Sequence, residues 1–230
     1  MRTTILEFIE GSRNAKGLTV IIDVFRAFSV ACYAFDAGAS RLVIARDIES
    51  AFELKNKYRR SYLIGERDEK KIPGFDLGNS PTEIIKQNLA GYTIIQTTTA
   101  GTNGLVNAGS SSILLAGSLV NAQATINYIK MIDPEEVSLV AMGYRASTTA
   151  YEDILCAKII SDGIKGSNPD YSDEISGLRE TAGKRFFDPA NLEFSPPTDF
   201  FLCTMLNRFD FILKAEKRLD GNIELLRTEL

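Results

Sequence analysis

Leu18 to Asp23 (LTVIID) is apolar apart from one threonine and the closing acid, and it is mostly β-branched. A strand with one wet face alternates apolar with polar residues, so a run like this needs cover on both faces. Val24 to Ala37 then takes a helical period and closes at Gly38. The same alternation recurs downstream. The pattern predicts strands at Leu42–Ala45, Tyr62–Ile64, Tyr92–Thr97, Ser112–Ala116 and Val137–Met142. Between them it predicts helices at Ile48–Tyr58, from Ser80 onward, and at Gly101–Ala108, Val120–Ile129 and Thr149–Asp162. Such alternation predicts an α/β fold across residues 1–230, with a mostly parallel sheet and helices on both faces. Sheets of this kind bind ligands at the carboxyl edge of their strands.

Beyond Asp162 the rhythm stops. Residues 163–198 are rich in Gly, Ser, Asp, Asn and Pro, which predicts an irregular excursion or lid, and Phe200 to Leu219 reads as a helix broken near Phe209 to Leu213.

The chain contains no histidine. That excludes Ser-His and Cys-His couples, phosphohistidine and imidazole metal ligands. Carboxylate, arginine, hydroxyl and lysine chemistry remains, with oxygen ligation of a hard cation. A net charge of −4 and the lack of any basic run argue against a nucleic-acid partner. Cys32, Cys156 and Cys203 are odd in number, widely spaced and set among apolar residues, as reduced thiols of a cytoplasmic protein would be. Met1 to Glu10 has the form of neither a signal peptide nor a membrane span.

Polar groups gather just after the predicted strands. Asp23 and Arg26 follow the first, where Asp23 also suits a helix cap. Glu66 and Arg67 follow Tyr62–Ile64. Gly74 to Ile84 (GFDLGNSPTEI) holds Asp76, Asn79 and Ser80, and Ser80 with Glu83 reads as a capping box. Thr97 to Thr102 places clustered hydroxyls before Gly101 at a helix start. Arg145 follows Val137–Met142. Thr149 and Glu152 read as a second capping box, which leaves Asp153 without a capping role. Acids suit a hard cation, while arginines and hydroxyls suit phosphate-like oxygens. The combination points to phosphoryl chemistry on a small anion. A non-catalytic anion binder and a purely structural domain remain open.

The ordered set Val20 to Ala27 (VIIDVFRA), Gly65-Glu66-Arg67, Gly74 to Pro81 (GFDLGNSP), Thr97 to Thr102 and Glu152-Asp153 resembles the 2-phosphosulfolactate phosphatase family across roughly residues 18–160. Phe28, Ser29, Asp68, Glu69 and Ala100 depart from that pattern. The resemblance implies a magnesium-dependent phosphatase that converts 2-phospho-3-sulfolactate to sulfolactate and phosphate, a step of coenzyme M biosynthesis in methanogens. On that basis Asp23, Arg26, Glu66 and Asp76 are the expected catalytic groups. Asp23, Asp76 and Asp153 are the expected magnesium ligands. Arg67, Asn79, Ser80, Thr98, Thr99, Gly101 and Arg145 are expected to bind substrate. Direct attack by water is favoured over a phosphoaspartate at Asp23, because position 25 is Phe where aspartyl-phosphate hydrolases carry a second carboxylate. Another small phosphoester as substrate, and a homo-oligomeric state, stay open.

Overall fold

A computed structural model describes residues 1–230. The elements run β1 (Arg2–Glu7), α1 (Phe8–Asn14), β2 (Gly17–Ile22), α2 (Ala27–Asp36), β3 (Arg41–Ile44), α3 (Ile48–Lys57), β4 (Ser61–Arg67) and β5 (Lys70–Lys71). They continue with α4 (Pro81–Ile84), β6 (Thr93–Thr97), α5 (Gly101–Asn107), β7 (Ser111–Gly117), α6 (Ala122–Ile132), β8 (Glu136–Ala141) and α7 (Tyr151–Ile164). α8 (Ser172–Gly177), α9 (Pro197–Cys203), β9 (Ile212–Lys217) and β10 (Ile223–Thr228) complete the chain. Ten strands form one sheet in the order β1-β8-β2-β7-β9-β10-β3-β6-β4-β5. Within β1-β8-β2-β7 and within β3-β6-β4 the pairing is parallel.

The β9–β10 hairpin joins these two parallel groups through antiparallel pairings. This corrects the helix expected over Phe200 to Leu219: only Pro197–Cys203 is helical. Ile212 to Lys217 has acceptable helix propensity, but it lies between two strand edges whose free N–H and C=O groups it satisfies. Asp220-Gly221, with Gly221 at φ +82°, is the turn signal that marks the hairpin. β1 was likewise unforeseen, and it pairs with β8 at the sheet edge.

α2 explains how the two groups share one site. Every residue from Ala27 to Phe35 is buried, against Ile21 and Ala116 from one group, Leu42, Ile64 and Ile94 from the other, and Leu213 and Leu225 of the hairpin. A helix covered all round must be apolar all round, and Ala27 to Phe35 carries only Ser29 and a tyrosine hydroxyl as polar groups. Both parallel groups and the hairpin thus pack on α2. The carboxyl ends of β2, β4 and β6 therefore meet near the α2 N-terminus, as the bonds from Gly101 to Asp23 and from Thr99 to Glu66 record. α6 and α7 cover the opposite face of β2 and β8.

Residues 163–198 contain α8 and three short 3₁₀ turns at Leu178–Glu180, Lys184–Phe187 and Pro189–Asn191. Phe186 of this segment is fully buried and packs edge-on to Phe25 at 5.0 Å, which seats the segment beside the β2 exit. All three cysteines are buried and unpaired. No helix is long and apolar enough to cross a membrane.

Candidate active site

A cleft at this meeting point is lined by Asp23, Arg26, Glu66, Asn79, Thr99 and Arg145, together with Phe25, Asp68, Glu69, Tyr144 and Arg185. Asp23 leaves β2 at the start of the loop into α2. Its Oδ1 accepts from Ala27 N at 3.0 Å and its Oδ2 from Gly101 N at 2.8 Å, so one carboxylate holds the first amides of α2 and α5. Gly101 is required by that approach, since a Cβ there would lie 2.7 Å from Asp23 Oδ2. Burial pushes the Asp23 carboxyl up to about 6, with Glu66 adding to the rise and the two amides and Arg185 opposing it.

Glu66 is buried at the end of β4. Its Oε1 accepts from Thr99 N at 2.7 Å and its Oε2 from Glu69 N at 2.9 Å, which joins the β4 and β6 exits. Arg26 is a buried residue of the cleft lining. Its Nη1 donates to Asp199 Oδ2 at 2.6 Å and to Phe194 O at 2.7 Å. Asn79 keeps a buried Oδ1 with no partner. Arg145, in the left-handed region at φ +53°, pairs with Asp68 at 2.8 Å on the exposed rim.

Six expected site residues do not line the cleft: Gly101, whose N–H is given to Asp23, and five that lie elsewhere. Asp76 accepts from Leu63 N at 2.7 Å and Lys55 Nζ at 2.6 Å, and its side chain is 37% exposed. Residues 75–77 pass beside β4, with Asp76 at a bend and a bridge between Ile64 and Leu77. Alternation buries Phe75 and Leu77 and turns Asp76 to the far side. Arg67 is turned away for the same reason, one residue after Glu66, and donates to Glu66 O and Thr97 Oγ1. Thr98 Oγ1 faces Thr102 at the α5 N-terminus. Ser80 Oγ donates to Asp199 Oδ1 at 2.8 Å, behind the cleft. Asp153 accepts from Val24 N at 2.8 Å and Gly143 N at 2.9 Å, tying the exits of β2 and β8 together. The three expected magnesium ligands are therefore not gathered: of Asp23, Asp76 and Asp153, only Asp23 lines the cleft.

Both capping boxes are also revised. Ser80 does cap Glu83 N, but the Glu83 carboxylate reaches past it to Gly78 N at 2.9 Å. The second box is absent, because α7 is capped by Ala150 without a side-chain bond and Thr149 Oγ1 donates to Glu7 at 2.7 Å.

That frees Glu152 for another role. It is buried, its Oε2 has no partner, and burial with the nearby Asp23 charge pushes its carboxyl up to about 7 against the pull of Arg185. Asp153 is raised by the same burial, then by Glu152 and Asp23. Arg185 and Asp199 were also missed. Lys184-Arg185-Phe186-Phe187, a cation set against two aromatics in a polar stretch, was the available signal for Arg185.

The raised acids set the direction of the pH dependence. Their folded values, about 6 for Asp23 and about 7 for Glu152, exceed the roughly 3.9 and 4.3 of an unfolded chain. Across that interval the folded state binds more protons, so stability is greatest at its acid end and falls as pH rises through the folded values. The lowered acids Asp47, Asp162, Asp170 and Asp220 are ionised in both states above about pH 5, so they add no opposing slope there. Thermal melts in chelator are expected to show a midpoint that declines from about pH 5 to about pH 8. A rising midpoint would show that these acids are not held protonated.

Comparison with known proteins gives this cleft a family. A family model described as 2-phosphosulpholactate phosphatase matches residues 4–192. The chain is 31% identical over 212 residues to a Bacillus subtilis protein named "Probable 2-phosphosulfolactate phosphatase", covering 90% of this chain and 89% of that one. Proteins of the same name from Carboxydothermus hydrogenoformans and Thermotoga petrophila are 41% identical over 138 residues and 37% identical over 173 residues. Those matches cover 60% and 72% of this chain, and 57% and 74% of the relatives. The match takes in every cleft residue from Asp23 to Arg185, and the chain belongs to the 2-phosphosulfolactate phosphatase family.

Proposed function

We propose that this protein hydrolyses the phosphomonoester of a small polyanionic acid, with 2-phospho-3-sulfolactate as substrate and 3-sulfolactate and phosphate as products. The observation that carries this reading is the cleft that gathers the buried Asp23 with Arg26, Arg145 and Arg185, where burial pushes the Asp23 carboxyl up to about 6. A group with that pKa is ionised at neutral pH yet can accept a proton. In this reading Asp23 takes the proton of the attacking water and returns it to the departing alkoxide. Arg26, Arg145, Thr99 and Asn79 orient and neutralise phosphate oxygens. Position 25, where an aspartyl-phosphate hydrolase carries its second carboxylate, is a Phe packed against Phe186 and Phe200, which favours direct attack by water over a phosphoaspartate.

Magnesium fits a smaller donor set than the sequence suggested. It binds through one or two carboxylates together with substrate phosphate and waters. Asp23 keeps acceptor capacity on both oxygens, and the orphaned Oε2 of Glu152 lacks a partner that a cation would supply. When bound, magnesium would supply charge neutralisation at the phosphate.

The test is phosphate release from 2-phospho-3-sulfolactate and a panel of small phosphomonoesters, with magnesium and with EDTA. Turnover that needs magnesium is expected. No release from any ester, alongside ligand-dependent thermal stabilisation, would make the cleft a binding site only.

A further inference from the structure

Arg185 enters the cleft from the turn at Lys184–Phe187, far along the chain from the other groups. Its guanidinium lies 5.2, 5.3 and 5.8 Å from the ring centroids of Phe186, Tyr144 and Phe25. Aromatic packing fixes a guanidinium while leaving its N–H donors free. Arg185 uses little of that capacity. Nη2 donates to Phe25 O at 3.2 Å, Glu69 Oε1 stands 3.6 Å from Nη1, and Nε is buried with no partner. Arg26 differs, since its Nη1 is bonded to Asp199 and Phe194 and its Nη2 to Glu69 O. A buried unpaired donor is costly, and native structures rarely keep one without a partner to complete it.

The position of Arg185 suggests what completes it. It lines the catalytic cleft and also a second concavity of about 590 Å³, lined by Arg179, Lys184, Phe187 and Asn191 with Glu180 and Asp188. Asp23, Glu66 and Thr99 belong to the cleft alone. Arg185 thus stands between the reacting end and an outer chamber bearing two more cations.

Building on the phosphatase reading, we propose that Arg185 is a specificity-determining residue that binds a second oxoanion of the substrate, a carboxylate or sulfonate, at the mouth of the outer concavity. The phosphate lies at the Asp23 end and the second acid pairs with the Nη1 and Nη2 donors that Glu69 and Phe25 O leave free. A phosphoester lacking that acid leaves the donors unpaired, which is the kind of defect a polar site rejects strongly.

The test is Arg185→Lys, which keeps a positive charge near Asp23 and Glu152 but removes the planar fork. KM and kcat are measured for 2-phospho-3-sulfolactate and glycerol 2-phosphate, and binding of 3-sulfolactate is measured by calorimetry. The preference in kcat/KM for phosphosulfolactate over glycerol 2-phosphate is expected to fall by at least about tenfold, mainly through KM. Sulfolactate binding should weaken by a similar factor, and the position of the kcat pH profile should hold. Equal losses on both esters would place Arg185 on the phosphate and overturn the assignment. So would unchanged discrimination, or failure of the wild type to bind sulfolactate. Arg185-dependent sulfolactate binding with no phosphate release from any ester would uphold the assignment and defeat the phosphatase reading.

Discussion

Asp23→Asn is expected to lower kcat for phosphate release by about 10²- to 10⁴-fold, the usual range for losing a positioned acid–base group. The substitution preserves shape but removes the charge. One amide bond, from Ala27 N or Gly101 N, can still be accepted by the new carbonyl, whereas the new NH₂ faces the other donor. The charged carboxylate is disfavoured by burial, so its removal relieves a penalty at pH values above about 6. Activity and stability should therefore separate, with turnover collapsing while the melting midpoint at pH 8 changes far less. The wild-type rate should also fall as pH drops and Asp23 takes up a proton, with magnesium at Asp23 moving that limb below about 6, and the variant should lose the limb. Near-normal phosphate release by the variant would remove Asp23 from the chemistry.

Asp199→Ala is expected to destabilise the protein by about 3–5 kcal/mol, because it strands Arg26 as a buried charge. The Arg26 and Asp199 side chains are 3% and 0% exposed. Asp199 also accepts from Ser80 Oγ at 2.8 Å and Thr82 N at 2.9 Å, so its loss frees the N-terminus of α4 as well. For a chain of this size the change corresponds to a fall of roughly 6–20 °C in the melting midpoint. Replacing both partners with apolar residues, as in Arg26→Met with Asp199→Leu, should recover much of the stability, since the desolvation penalty goes with the charges. It should recover little activity, because Arg26 lines the cleft. Melting curves and kcat/KM on the three proteins check this. A loss below about 1 kcal/mol for Asp199→Ala would show that the pair behaves as a solvated surface bridge.

Much of the parallel scaffold was legible because its signals are local. The LTVIID run had to be a strand covered on both faces, and β2 is one. The acids and hydroxyls that follow strands collect at one edge of the sheet, and Asp23, Arg26, Glu66, Asn79, Thr99 and Arg145 share a cleft there. Orientation was less legible. Asp76 and Arg67 are adjacent to residues that face inward, and the alternation of Phe75-Asp76-Leu77 already contained the reason Asp76 does not. Glu152 was assigned to a cap because the spacing from Thr149 allowed it, yet Thr149 is drawn to Glu7 by the β1–β8 pairing.

The sequence by itself determined the alternation of elements, the absence of imidazole chemistry and the edge at which charged groups collect. Only the tertiary structure decided which of those groups face one another. The hairpin that joins the two parallel groups, the bond from Arg185 to Phe25 across 160 positions and that from Arg26 to Asp199 across 173 all depend on partners remote in the chain. Hydrophobic period and capping are set within a few residues. The facing of a buried charge is set by whichever distant donor or acceptor relieves its desolvation, and that partner exists only once the chain has folded.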